Sequence, residues 1–210
     1  YFNHVWIMPN PGDAGSSLGA IVAGEKRKLN WKTPYLGYNI EGRYPVEQLL
    51  DSLLTDNIVG VANGRAEFGP RALGNRSLLA NIQIRHIKDT VNEIKHRQKF
   101  RPFAPVILKQ EAHKYFDVPR GFESPYMQYV VRCKEPHNYP AIVHRDGTSR
   151  VQTVTREQHA GLFRLLMQYK KETGIPMLLN TSLNIKGEPM VNDKSDAQNF
   201  YKKYGVKVFS

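Results

Sequence analysis

Four short stretches of the chain concentrate residue types that bind or polarise an anion. The first, Gly64-Arg65-Ala66-Glu67-Phe68-Gly69-Pro70-Arg71-Ala72-Leu73-Gly74-Asn75-Arg76-Ser77, sets three arginines among three glycines. Glycine lets backbone N–H groups approach a ligand, and arginine offers a planar fork matched to phosphate or carboxylate oxygens. On spacing alone this is an anion site or a turn-rich surface loop. In the second, Lys95-His96-Arg97-Gln98-Lys99-Phe100-Arg101-Pro102-Phe103-Ala104-Pro105, a helix end runs into a Pro-aromatic segment. If that segment is extended, Arg97, Lys99 and Arg101 share one face. Such a face repels itself unless an anion sits on it, or it is an exposed basic edge. The third, His144-Arg145-Asp146-Gly147-Thr148-Ser149-Arg150, is an Asp-Gly turn with cations on both sides. The fourth, Leu178-Leu179-Asn180-Thr181-Ser182-Leu183-Asn184, runs an apolar strand into four hydrogen-bonding side chains. These are costly unless something binds them, and strand ends are where open α/β sheets place ligands.

The charge balance points the same way. Thirty Lys and Arg stand against 19 Asp and Glu, a net charge of +11. Between Arg65 and Lys109 ten basic residues face three acidic ones, so this stretch holds most of the excess. Its cations sit singly among Gly, Pro and apolar residues, which suits a pocket better than a solvated tail. The partner classes this leaves are phosphorylated small molecules, nucleic acid or an anionic surface. No Walker A loop, dinucleotide fingerprint or Ser-His-Asp spacing is present. His113, His137 and His159 stand alone, as surface or core residues. His4 and Asp13 are two metal-ligand candidates, too few for a site.

These stretches need a scaffold, and 210 residues with 40% hydrophobic content supply one sizeable core. Apolar runs of only four or five residues exclude a membrane-spanning helix. The single cysteine, Cys133, excludes a disulfide framework or zinc-thiolate cage and reads as a small core residue in a cytoplasmic protein. The chain opens Tyr1-Phe2-Asn3-His4 without an initiator Met or basic leader, which reads as a piece of a longer polypeptide. Patterning predicts a strand over 2–8, a turn over 9–12, and a helix from Ala14 to Lys26 capped by Asp13. Residues 29–44 lack periodicity and read as a connector. A helix follows with Pro45 in its first turn and Val46, Leu49, Leu50, Leu53 and Leu54 on its stripe. Strands are predicted over 58–62, 105–108, 126–131, 151–154, 177–179 and, at an edge, 206–209. Helices are predicted over 87–95, 109–116, 156–172 and 195–204, and 64–76 is read as loop. Helices and strands alternate without an internal repeat, giving an α/β or α+β class with a mixed sheet.

Taken together, the stretches resemble the family of nodulation-factor, cephamycin and tobramycin O-carbamoyltransferases. The marks are Gly-Arg-x-Glu-Phe-Gly-Pro-Arg-Ala-Leu-Gly-Asn-Arg-Ser (64–77), Lys-x-Arg with Phe-Arg-Pro-Phe-Ala-Pro (95–105), Asp-Gly-Thr-x-Arg (146–150) and Leu-Asn-Thr-Ser-x-Asn with Gly-Glu-Pro (179–189). The match runs nearly the whole chain in order. One departure is Gln98, where the family often has Glu.

The resemblance implies two domains. An N-terminal one resembles the actin-like fold of tRNA threonylcarbamoyl transferases, and a C-terminal one resembles YrdC, a mixed twisted sheet with flanking helices. Residues 1–28 would be the tail of the first, 29–44 a linker and 45–210 the YrdC-like domain. The C-terminal domain is implied to convert carbamoyl phosphate and ATP, with Mg2+, into carbamoyl adenylate. The upstream domain of the same polypeptide, with bound iron, would then pass the carbamoyl group to an acceptor hydroxyl. Pro11-Gly12-Asp13-Ala14-Gly15 matches a segment with a metal-binding Asp, here Asp13, whose partner histidines would lie upstream. Lys95, Arg101, Arg150, Asn180 and Ser182 match the nucleotide and carbamoyl-phosphate site, with Arg71 and Arg97 beside them. Lys95, Ser182 and Asn184 echo YrdC's own Lys…Ser-x-Asn pattern. The implied catalytic set is Lys95 and Arg101 on the phosphates and Arg150 at the attacked α-phosphorus, while Asn180 and Ser182 orient the carbamate or phosphate oxygens. A YrdC-like RNA-binding module is the alternative, disfavoured because the cations are scattered through pocket-like text and not striped.

Overall fold

The computed structural model describes residues 7–210. The strand predicted over 2–8 lies mostly outside the described residues, and Ile7 and Met8 are not in a strand. Helix α1 spans Asp13–Glu25, with Gly12 as its N-cap and Asp13 as its first helical residue. The next elements are β1 (Tyr35–Ile40), α2 (Val46–Thr55), β2 (Ile58–Ala62), β3 (Gly64–Glu67), β4 (Arg76–Ala80) and α3 (Ile87–Ile94). They are followed by β5 (Ala104–Leu108), α4 (Ala112–Tyr115), β6 (Tyr129–Arg132) and β7 (Thr148–Val154). The chain closes with α5 (Ala160–Thr173), β8 (Met177–Ser182), α6 (Lys194–Tyr204) and β9 (Val208–Phe209).

Seven strands form one mixed sheet in the order β6-β7-β5-β8-β4-β2-β9. β5 runs parallel to β7, and β2 parallel to β9; the other neighbours are antiparallel. The fold is the expected mixed α/β class, with β9 at the expected edge. Residues of the central strands alternate between two cores, as a pleat requires. One face carries Leu78, Ala80, Ile107, Met177 and Leu179, packed near Ile87, Val91 and Phe200. The other carries Val59, Val61, Leu79, Val106 and Leu178, covered by Leu49 and Leu53 of α2 and Leu162, Leu165 and Leu166 of α5. Gly161 lets α5 settle here, because a Cβ on it would lie 2.3 Å from the Tyr44 ring. Among the described residues no helix is long and apolar enough to cross a membrane.

Two parts of the sequence reading are corrected. The 29–44 stretch is not featureless: β1 pairs antiparallel with β3 in a separate two-stranded sheet, with a register irregularity between Tyr35 and Asn39. Its hydrophobic pattern is interrupted by Gly37, which is there for close approach; a Cβ would lie 2.9 Å from that of Ala66. The 64–76 stretch is accordingly not all loop, since it opens with β3 and runs into β4, a strand buried along its length.

Candidate functional site

A cavity of about 400 Å3 opens at one end of the sheet, where β8 finishes and β5 and β7 begin. Arg71, Arg97, Arg101, Arg150, Asn180 and Ser182 line it, along with Phe100, Ala104, Met127 and His144. Six of the residues singled out by the sequence thus come together from four separate stretches of chain. Lys95, Asn184 and Asp13 are not in its wall.

The loop carrying Arg71 is built around Glu67. One oxygen of this half-buried carboxylate, Oε1, accepts from the backbone N–H groups of Leu73 (2.7 Å), Asn75 (2.8 Å) and Arg76 (3.4 Å). Burial pushes its pKa up, and those N–H groups pull it back down. Gly74, at φ +121°, lets the loop pass His159 and Leu162, where a Cβ would lie 3.0 Å and 2.8 Å away. The three arginines of this stretch have three different fates. Arg76 is fully buried, its guanidinium donating to the carbonyls of Tyr38, Asn63, Gly64, Asn75 and Asn192. Arg65 is exposed and reaches the Gly37 carbonyl at 3.4 Å. Only Arg71 reaches the cavity. Of the two readings the spacing left open for this stretch, an anion site falls to Arg71 alone, because five carbonyls already saturate Arg76.

The second stretch turns instead of extending, so its cations do not share a face. Asn92, fully buried on α3, holds both ends of the turn. Its Nδ2 donates to the carbonyls of Lys99 (3.2 Å) and Arg101 (3.0 Å), and its Oδ1 accepts from Arg97 Nε at 2.6 Å. Arg97 lies 4.1 Å from the Phe103 ring centroid. Lys99 points away and pairs with Glu93 in solvent. The turn of the third stretch is closed by Asp146, whose Oδ1 accepts from the Thr148 N–H (3.0 Å) and hydroxyl (2.7 Å). That closure sets the start of β7 and hence Arg150.

Lys95 is caged just behind the wall. Its Nζ donates to the carbonyls of Ser182 (2.6 Å) and Asn184 (2.7 Å) and lies 3.4 Å from Ser182 Oγ. Burial, and secondarily Arg97, brings its pKa down to about 7. Ser182 Oγ in turn donates to Asn184 Oδ1 at 2.7 Å. Lys95 and Asn184 therefore shape the loop after β8.

The cavity is electrostatically incomplete. Among the described residues Arg71, Arg97, Arg101 and Arg150 have no carboxylate partner. Burial brings Arg97 down to about 10, helped by Arg101 and Arg150. Burial and Arg71 bring Arg150 to about 10 as well. Among the described residues two buried polar atoms of the wall, Arg150 Nε and Asn180 Oδ1, find no hydrogen-bond partner. The unpaired guanidinium groups and the Arg150 Nε–H call for a ligand rich in anionic oxygen, and Asn180 Oδ1 for a hydrogen-bond donor on it. Asn180 is locked from behind, its Nδ2 donating to the carbonyl of Ala72 (3.0 Å) and to Gln152 Oε1 (2.7 Å). Gln152 and Asn92, which hold lining residues in place, are positions the sequence reading missed. Their signal was a polar side chain among buried apolar neighbours, on β7 and α3 respectively.

Asp13 is exposed at the start of α1, and His4 lies outside the described residues. Among the described residues no three His, Cys, Asp or Glu side chains gather as metal ligands, so this part of the chain does not by itself fit an iron site. Among the described residues no carboxylate lines the cavity either, so the lining offers a Mg2+ no charged ligand of its own.

Residues 50–210 match the family model described as "Carbamoyltransferase C-terminus". The chain is 43% identical to nodulation protein NolO of Bradyrhizobium diazoefficiens, over 93% of this chain and 41% of that protein. It is 38% identical to nodulation protein U of Sinorhizobium fredii, over 89% of this chain and 36% of that protein. It is 35% identical to the 3'-hydroxymethylcephem-O-carbamoyltransferase of Amycolatopsis lactamdurans, over 98% of this chain and 42% of that protein. The chain thus spans about two fifths of the length of these curated relatives. Among solved structures, full-length HypF in its phosphate- and nucleotide-bound form is similar in fold, with TM-score 0.51 and 18% identity over 78% of this chain and 20% of that one.

Proposed function

The chain belongs to the carbamoyltransferase C-terminus family, and from that membership we propose that it is the carbamoyl-activating part of an ATP-dependent O-carbamoyltransferase. The cavity takes ATP and carbamoyl phosphate and yields carbamoyl adenylate. Atom balance divides this into two steps. Water releases carbamate and inorganic phosphate from carbamoyl phosphate; a carbamate oxygen then attacks the α-phosphorus of ATP, and pyrophosphate leaves. The observation that carries the reading is the convergence of four arginines, unpaired by any carboxylate among the described residues, on one cavity. A small, dense polyanion relieves that repulsion, and a triphosphate together with a carbamoyl phosphate is such a ligand pair.

Roles follow from position. Arg71, Arg97 and Arg101 hold phosphate oxygens. Arg150 neutralises charge that builds at the attacked phosphorus, and Asn180 and Ser182 orient the carbamoyl donor. Lys95, which donates to two carbonyls, adds positive potential behind the wall and fixes the loop carrying Ser182. This is positional and electrostatic catalysis, as phosphoryl chemistry requires. In this reading residues 45–210 form a YrdC-like domain, residues 1–28 are the tail of an upstream domain, and that domain completes transfer to the acceptor hydroxyl. The test is pyrophosphate release when the chain is given ATP, Mg2+ and carbamoyl phosphate. Release that needs both substrates supports the reading, and binding of neither refutes it.

A further inference from the structure

The turn before β7 brings one group to the cavity that the binding roles leave unused. His144 is half-buried and belongs to the lining. The other ionisable side chains of that lining are Arg71, Arg97, Arg101 and Arg150. Arginine keeps its proton throughout the physiological range, so among the described residues the imidazole is the one lining group able to take a proton up. The hydrogen-bond network assigns its tautomer. The hydroxyl and N–H of Thr148 hold the Asp146 carboxyl below its usual range, so it is ionised and can only accept. The Thr148 hydroxyl therefore spends its proton on Asp146 Oδ1, at 2.7 Å. His144 Nδ1 lies 2.9 Å from the same hydroxyl oxygen and must donate to it. The lone pair is then on Nε2, which has no hydrogen-bond partner among the described residues. The backbone clamps the residue as well. His144 N–H donates to the Thr148 carbonyl at 2.7 Å, and Gly147 N–H donates to the His144 carbonyl at 3.0 Å.

We infer that His144 Nε2 is the base that activates the water which splits the carbamoyl donor, with Asp146 and Thr148 as positioning residues that hold its tautomer. The inference rests on the carbamoyl phosphate reading and adds to it the group that moves the proton. Water attacks the carbamoyl carbon as one of its protons passes to His144 Nε2. The guanidinium groups of the lining offset the charge that forms on the carbonyl oxygen. The bond from carbon to the phosphate oxygen then breaks, and Nε2 returns the proton to that leaving oxygen. Carbamic acid and inorganic phosphate result, the acid loses its remaining proton to solvent, and the imidazole is back in its starting form. The carbamate is then ready to attack ATP, a step that needs no base.

The test supplies the donor in two forms. Pyrophosphate release from ATP and Mg2+ is measured with carbamoyl phosphate, and again with carbamate formed in ammonium bicarbonate, which enters after the water step. Phosphate release from carbamoyl phosphate is followed alongside. His144→Asn keeps a side-chain N–H for Thr148 and removes Nε2, and its binding of pyrophosphate shows that it has folded. Phosphate release and the carbamoyl phosphate route should fall about 100-fold or more, while the carbamate route is retained within about threefold. Thr148→Val leaves the ring but releases its tautomer, and should slow phosphate release about 10-fold with the carbamate route again retained. That variant carries the test if His144→Asn does not fold. Phosphate release at the wild-type rate in the variants overturns the His144 assignment. So does equal loss of both routes, which would mark a structural role felt by Arg150. A wild-type chain inactive with either donor overturns the underlying reading as well.

Discussion

Replacing Arg150 with Met should make the empty protein more stable and deprive it of its ligand. Arg150 is half-buried, lacks a carboxylate partner among the described residues, and is held at about 10 by burial and by Arg71. At 1.36 kcal/mol per pH unit, a guanidinium depressed that far carries a penalty of about 3 kcal/mol in the folded state. Partial solvent exposure and the packing lost with the side chain reduce the expected net gain for Arg150→Met to about 1–3 kcal/mol. For a chain of this size that is roughly 3–10 °C in melting temperature. Wild type should recover the difference on adding ATP at about 100 times its Kd, which contributes about 2.7 kcal/mol. The variant should gain little from ATP. Urea or thermal unfolding with and without ATP reads both effects. A variant less stable than wild type by more than about 1 kcal/mol, or one stabilised by ATP as much as wild type, would refute the view that this cavity stores unrelieved charge for a polyanion.

Three further expectations come from the supporting residues. Glu67→Ala leaves three backbone N–H groups without their acceptor; it should cost about 2–4 kcal/mol in urea unfolding and weaken pyrophosphate binding through Arg71, with Glu67→Gln recovering most of the stability. His159 caps α5 by accepting from Leu162 N–H, stands 2.8 Å from Asn75 Oδ1, and is held neutral by burial down to about 4. The unfolded chain takes up this proton first, so stability should fall as pH drops from about 6.5 to 4, by as much as about 3 kcal/mol, and His159→Asn should flatten that slope. Lys95, depressed to about 7 by burial, binds fewer protons folded than unfolded above that pH, so its contribution makes the fold more stable as pH rises from 7. Polyanion binding favours its ammonium form, so pyrophosphate affinity should fall between pH 6 and 8 more steeply in wild type than in Lys95→Met.

Much of the scaffold was legible because it follows simple periodicities. The Val46, Leu49, Leu53 stripe of α2 and the buried run opening β8 both lie where their patterns put them. β1 was not legible, because Gly37 and Asn39 break its alternation and its pairing partner lies some 25 residues on, in a stretch that reads as turns. β4 was hidden for a related reason: its first residue is an arginine, and a fully buried arginine looks like a surface residue until its five carbonyl partners are known.

The same limit applies at the site. Arg71 and Arg76 are five residues apart, identical in type and embedded in similar glycine-rich text. One is saturated by backbone oxygens from four parts of the chain, while the other is left facing a cavity among like charges. Residue type and spacing record where cations are placed; they do not record which of them the fold has already satisfied. That distinction is set by long-range partners, here the carbonyls of Tyr38 and Asn192 for Arg76, and it separates structural arginines from those available to a ligand. Lys95 makes the point in reverse: its motif matched a binding residue, yet its donors are spent on Ser182 and Asn184. In the proposed reading its contribution to a bound polyanion is therefore potential from behind the wall, which mutation to another cation should preserve and mutation to Met should remove.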